Sequence, residues 1–168
     1  PNIENTALIG RSATLSVEHV RRRLEIPKDA EKKYVLLGLR MSDLLDVDMA
    51  HVESLKDVVF VAVSRDVRLK NSIHLKEGDL PFEDVLNACD AVLSKPGYSM
   101  VSEVIANQTP IVYVPRNDFA EDPILINGLK KYAVCEELSQ KDYFAGRWHE
   151  AFGPVSYTHL RAHETHID

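Results

Sequence analysis

Four short runs, residues 34–39, 58–63, 91–93 and 109–114, contain no charged residue and are built mostly from valine, leucine, isoleucine and aromatic side chains. A strand with one wet face alternates apolar and polar residues, so runs without that alternation must be covered on both sides. Between the runs, apolar residues recur at helical spacing: Val17, Val20 and Leu24, then Leu44, Leu45, Val47 and Val52, then Phe82, Val85, Leu86 and Cys89. Buried strands alternating with amphipathic helices specify an α/β fold, a three-layer Rossmann-like domain with a parallel sheet and helices on both faces. A chain of 168 residues holds one such core and is too short for two full-sized domains.

Local signals set the expected boundaries. Ser16 is placed as the N-cap of a short helix through residue 24, which ends before Ile26-Pro27. Residues 34–39 form the first strand and 42–55 one helix after it. Residues 58–63 are the second strand, and 67–75 hold a weaker third. Gly78, Asp79 and Pro81 make a turn before the helix that carries Phe82 to Cys89. Residues 91–93 are the next strand, 99–107 the next helix, and 109–114 a strand closed by Pro115. Pro123 opens a helix to residue 132. Residues 133–135 read as a last short strand and 141–152 as a last helix. The sequence opens without methionine, so residues 1–11 are expected to be an irregular lead-in from an upstream part. Residues 12–155 are the expected domain.

Charge and composition exclude several function classes. The net charge is −6, and lysine and arginine cluster only at Arg21-Arg22-Arg23, read as the solvated face of a helix. A nucleic-acid partner is therefore not expected. No apolar run approaches the ~20 residues that span a bilayer, and no basic segment followed by an apolar core opens the sequence, so neither membrane insertion nor export is expected. The two cysteines, Cys89 and Cys135, stand apart in apolar surroundings and read as reduced core residues of a cytoplasmic protein. Residues 156–168, SYTHLRAHETHID, break the pattern and read as a tail not native to the protein. His159 and His163 stand four apart, as paired zinc ligands on a helix do. His163 to His166, however, is one residue short of HExxH, and no further ligand stands near. Neither a metal nor a cofactor is expected.

The segment SKPGYSMVSE, residues 94–103, leaves a strand through Pro-Gly and enters a helix. A helix N-terminus presents unpaired backbone N–H groups and about half a positive charge, which suits a diphosphate. In a parallel α/β sheet it lies at the carboxyl ends of the strands, where ligands bind. Gly97 lets the backbone approach such a ligand, and Ser99 adds a hydroxyl donor or caps the helix. Glu103, one turn in, is placed to accept from a ribose diol. The alternative is a plain glycine turn, a serine cap and a glutamate that complements the helix dipole. Neither GxGxxG nor GxxxxGK[ST] occurs here, so a dinucleotide oxidoreductase and a P-loop nucleotidase are not supported.

The stretch CDAVLSKPGYSMVSEVIANQTPIVYVPRNDFAEDPIL, residues 89–125, resembles the carboxyl-terminal nucleotide-sugar domain of family 28-like glycosyltransferases, which have two Rossmann-like halves (the B-type fold). Within that group it is most similar to the glycosyltransferase-like region of plant arabinokinases and bacterial homologues. The rest of residues 12–150 matches only in the order of elements. The resemblance implies that Gly97, Tyr98, Ser99 and Met100 hold the pyrophosphate and Glu103 the ribose. It implies that Arg116, Asn117, Asp118, Phe119 and Glu121 face the donor sugar, and that the base lies against residues 77–82. Two positions depart from the family pattern. Ser99-Met100 replaces Gly-Thr in the phosphate turn, and Gly38 is followed by Leu39-Arg40 instead of a second glycine.

By this resemblance the chain is the donor-binding half of a sugar transferase, binding a nucleoside-diphosphate sugar, UDP-sugar foremost. It would be inactive without the amino-terminal half that binds the acceptor. Helix N–H groups would stabilise the leaving diphosphate without a metal, and the catalytic base would come from the other half. Lys95 either reaches a phosphate as a point charge or is an exposed loop lysine. A second reading is a non-catalytic nucleotide-sugar sensor joined to a sugar kinase. A third, a nucleotide-sugar epimerase, needs catalytic acids that the sequence does not place.

Overall fold

In the computed structural model, which describes residues 8–64 and 66–155, six strands form one wholly parallel sheet. The strands are β1 (Lys33–Gly38), β2 (Val58–Ala62), β3 (Ser72–His74), β4 (Ala91–Ser94), β5 (Ile111–Tyr113) and β6 (Cys135–Glu137), ordered β3-β2-β1-β4-β5-β6. The chain starts in the middle of the sheet, builds outward to one edge, returns, and builds to the other. This is the doubly wound arrangement, and it places the reversal of strand order between β1 and β4.

Both faces of the sheet are buried, as the missing alternation requires. Val35 and Leu37 of β1 point with Phe60, Leu93 and Val112 into one apolar cluster, whereas Tyr34 and Leu36 point with Val61, Val92 and Ile111 into the other. The second cluster is closed by helices α1 (Val17–Arg23), α4 (Phe82–Ala88), α5 (Tyr98–Asn107) and α6 (Asp122–Tyr132) through Val20, Val85, Val101 and Leu129. Ser16 caps α1 by accepting from the His19 amide, as expected. Arg21 is not part of a solvated face: it donates to the Ala88 carbonyl and to Asp90, tying α1 to the corner before β4.

Across the sheet, the first cluster is closed by α2 (Met41–Leu44), α3 (Met49–Glu53), α7 (Gln140–Phe144) and a further helical stretch, residues 149–155. Here the sequence reading needs correcting twice. The single helix expected over 42–55 is two, because Asp48 starts a new one: its side chain accepts from the His51 amide, and its own amide donates to the Phe144 carbonyl. The helix expected over 141–152 is likewise broken, at Gly146. That residue has φ +69°, and an added Cβ would lie 2.6 Å from the Asp48 carbonyl oxygen. The break drops Trp148 into the core, fully buried, stacked on Tyr143 and edge-on to Phe60, with its indole N–H donating to the Tyr143 carbonyl.

The last strand falls two residues later than expected, at Cys135–Glu137. As an edge strand it carries Glu136 and Glu137, which an apolar criterion overlooks. The lead-in is irregular over residues 8–15, and residues 1–7 and the tail 156–168 lie outside the described residues. Among the described residues no helix is long and apolar enough to cross a membrane.

Trp148→Ala should cost about 3–5 kcal/mol of stability. Urea unfolding followed by far-ultraviolet circular dichroism reads this, since the substitution removes the chain's one tryptophan.

Candidate functional site

The carboxyl ends of β1 and β4 meet at the reversal of strand order, with Gly38 in register with Ser94. The Ser94 hydroxyl bridges the two ends, 3.0 Å from both the Gly38 and Lys95 carbonyl oxygens. From this point the chain turns through Pro96-Gly97 into α5, so the start of α5 stands at the crevice where such folds take ligands.

Gly97 is the N-cap residue of α5, and no side chain caps the helix. The starts of α4 and α6 also lack a side-chain cap, whereas α1, α3 and α7 are each capped by a serine or aspartate; of the three uncapped starts only that of α5 lies at the reversal of strand order. Ser99, expected either to donate or to cap, is the second residue of the helix; it is exposed, and its carbonyl accepts from the Ser102 hydroxyl. Gly97 has ordinary extended backbone, φ −119°, and an added Cβ would meet no protein atom within 4 Å. Neither backbone strain nor internal packing therefore demands glycine here. Gly38 is the opposite case. Its missing Cβ leaves space for Met100, whose Cε would come within 2.6 Å of one.

Met100 thus packs against the end of β1 and lines a groove of about 490 Å³ together with Arg40, Asp66, Glu77 and Phe82. The residues expected against the base, 77–82, border this groove on one side of the α5 start. On the other side a cavity of about 390 Å³ is lined by Lys95, Arg116, Asn117, Asp118 and Phe119, with Gln140 and Phe144. The structure brings the loop expected to face the sugar beside the turn expected to hold the diphosphate, through the Arg116 side chain donating to the Pro96 carbonyl. Glu121 stands apart, as the exposed N-cap residue of α6.

Within that loop Arg116 is engaged by the protein. Its side chain donates to both Asp122 and the Pro96 carbonyl, and its guanidinium lies 3.6 Å over the Phe119 ring. Asp122, only 3% exposed, also accepts from the Arg116 amide at 2.7 Å. The buried carboxylate thus fixes the loop after β5 to the turn after β4. Asn117 donates to Gln140, which donates in turn to the Pro115 carbonyl. Lys95 pairs with Asp43 at 2.7 Å, and the Tyr143 hydroxyl donates to the Asp43 carbonyl. Burial works to raise the Asp43 carboxyl, but the Lys95 bond, the Arg40 amide and the two cations together hold it below its ordinary value. Its contribution to stability is therefore present at neutral pH and is lost as pH falls through that lowered value.

Glu103 is buried on α5, 5% exposed. Its Oε1 takes the Arg11 Nε–H at 2.6 Å, with Arg11 Nη2 also 2.6 Å away. Arg11 comes from a segment pinned across α4 and α5. Asn107 accepts from the Ala13 amide and donates to the Arg11 carbonyl, while Asp84 Oδ1 accepts from the Thr14 and Leu15 amides. Sequence reading missed Arg11, Asp84 and Asp122. The one visible signal was an acidic residue in the first turn of a helix, a position usually explained by the dipole alone.

Among the described residues no group of three or more His, Cys, Asp or Glu side chains is placed to hold a metal ion. His159, His163 and His166 lie outside them. Cys89 is fully buried, and burial pushes its thiol up, away from the reactive thiolate.

No family model matches the chain. An L-arabinokinase of Arabidopsis thaliana is 38% identical over 65 residues, which are 39% of this chain and 6% of that protein. The glycotransferase of kitacinnamycin is similar over 97% of this chain and 44% of its own, with a TM-score of 0.56 and 14% identity. The glycosyltransferase VinC, solved in complex with dTDP, is similar over 85% of this chain and 39% of its own, with a TM-score of 0.52 and 14% identity. The fold is therefore that of a Rossmann-like half of the B-type glycosyltransferases. The chain spans less than half the length of these solved transferases.

Asp122→Ala should destabilise the protein by about 2–3 kcal/mol, because it strands a partly buried guanidinium and frees the loop. Chemical denaturation of this variant beside the exposed-site control Glu121→Ala, expected to stay within about 0.5 kcal/mol of wild type, checks the difference.

Proposed function

We propose that residues 12–155 bind a nucleoside-diphosphate sugar and form the donor half of a sugar transferase. The observation that carries this reading is the start of α5. It is uncapped, it stands at the reversal point of a parallel sheet, and it begins with a glycine that nothing inside the protein requires. Such a start offers backbone N–H groups to an anion and allows close approach. The likeness to a transferase solved with dTDP supports a nucleoside diphosphate as that anion.

In this reading the amides of Tyr98, Ser99 and Met100 hold the diphosphate, and Glu103 accepts from the ribose. Asp118 and Phe119 meet the sugar, while Arg116 fixes the shape of their loop, and Glu121, outside the cavity, is left without a part in it. When the acceptor hydroxyl attacks the anomeric carbon, the bond from that carbon to the diphosphate oxygen breaks. The electron pair leaves with the diphosphate, where the helix start stabilises it. The acceptor's proton passes to a base supplied by an acceptor-binding half outside this chain. Both cysteines are free thiols, which suits the reducing cytoplasm.

The match to an arabinokinase favours a second reading, a nucleotide-sugar sensor attached to a sugar kinase. The two separate on turnover: the complete protein transfers sugar in one case and only binds in the other.

Calorimetry with UDP, dTDP, their glucose conjugates and pyrophosphate tests the site. Gly97→Ala should weaken all five ligands by about tenfold or more, since a methyl group obstructs the diphosphate, while the melting temperature stays within about 2 °C. Undiminished affinity in that variant would remove the basis for this reading.

A further inference from the structure

Among the described residues lining the groove and the cavity at the sheet edge, three are cations: Lys95, Arg116 and Arg40. Two of them are engaged inside the protein, Lys95 by Asp43 at 2.7 Å and Arg116 by Asp122. Arg40 is exposed, and its guanidinium makes no ion pair with any described residue. Its backbone is nonetheless fixed. The Arg40 amide donates to Asp43 Oδ2 at 2.8 Å, while Lys95 Nζ meets Oδ1 of the same carboxylate. Arg40 follows the end of β1 by two residues and Lys95 follows the end of β4 by one, so Asp43 joins the two rims of the crevice.

Arg40 lines the groove of about 490 Å³ together with Asp66, Glu77 and Met100, the third residue of α5. The two acids suit the N–H and O–H donors of a nucleoside. Arg40 is the one described residue of that groove that suits an anion. Lys95 and the loop after β5 line the cavity of about 390 Å³ on the other side of the α5 start. A nucleoside diphosphate with its base in the groove and its sugar in the cavity carries its phosphates across that start. The phosphate joined to the ribose is then the one on the groove side, next to Arg40. A guanidinium there adds a full charge and a fork of donors to the backbone N–H groups.

We propose that Arg40 is a further diphosphate-binding residue, gripping the ribose-side phosphate across the groove from the α5 amides. The inference rests on the α5 start holding the diphosphate, as proposed above. Binding costs Arg40 no existing ion pair among the described residues. The contact is to the phosphate next to the ribose, so nucleoside monophosphates and diphosphates both use it.

Calorimetry with UMP and UDP tests this. Arg40→Ala should weaken both by about tenfold, the value of one hydrogen bond between charged groups. Arg40→Lys, which keeps the charge and loses the fork, should recover part of that loss. Arg23→Ala removes the same charge from an exposed position on α1 and should stay within about twofold of wild type. In about 1 M salt, where charges are screened beyond roughly 3 Å, the loss in Arg40→Ala should shrink to about threefold. Melting temperatures within about 2 °C of wild type verify that each variant is folded. Affinities of Arg40→Ala within twofold of wild type, with Gly97→Ala still weakened, overturn the role of Arg40 and leave the α5 reading in place. Equal losses in Arg40→Ala and Arg23→Ala overturn it as well, since overall charge then accounts for the effect. A loss confined to UDP overturns the assignment to the ribose-side phosphate. Failure of the wild type to bind either nucleotide overturns the nucleotide reading and this inference together.

Discussion

The central strand β1 has no free surface. It is paired on both edges, by β2 and β4, and packed on both faces by apolar clusters. Backbone groups in such a strand must pair with parallel neighbours, and every connection must cross over through the flanking layers. The only exits are the strand ends. At the carboxyl end the two neighbouring crossovers run in opposite directions and leave a crevice between β1 and β4 that neither layer covers. The position of the candidate site is thus a consequence of burying this strand, before any binding residue is considered.

What stands around that crevice is held by charged groups under the surface. Asp122 ties Arg116 and the loop after β5 to the turn after β4, and Lys95 ties the same turn to Asp43 and, through Tyr143, to α7. The loop after β5, the turn after β4 and helices α2 and α7 are cross-braced in this way. Bonds to charged groups inside a low-dielectric surface are stronger than neutral ones, and losing one partner leaves the other unpaired. These bonds hold the loops of the edge to one another and to the helices beneath them.

Much of this was legible in the sequence, for a physical reason. Runs such as Val58 to Val63 lack polar residues because both faces are buried, so the parallel sheet could be read from composition along the chain. Pro96-Gly97 before a helical stretch marked the turn that forms the crevice. The boundaries that failed were decided by single long-range contacts. Asp48 splits a helix because the Phe144 carbonyl is there to meet its amide, and Gly146 turns because the chain passes close to Asp48. Arg11 lies 92 residues from Glu103 along the chain, and no periodicity links the two. Ser99 and Met100 could be identified as the start of a helix, but only the packing of Met100 against Gly38 gave the methionine its place.

That packing has a mechanical consequence. The wall between the α5 start and the end of β1 is a thioether chain with three rotatable bonds, set against a residue with no side chain at all. This part of the groove wall can therefore change shape by rotation of one side chain while the backbone stays where it is.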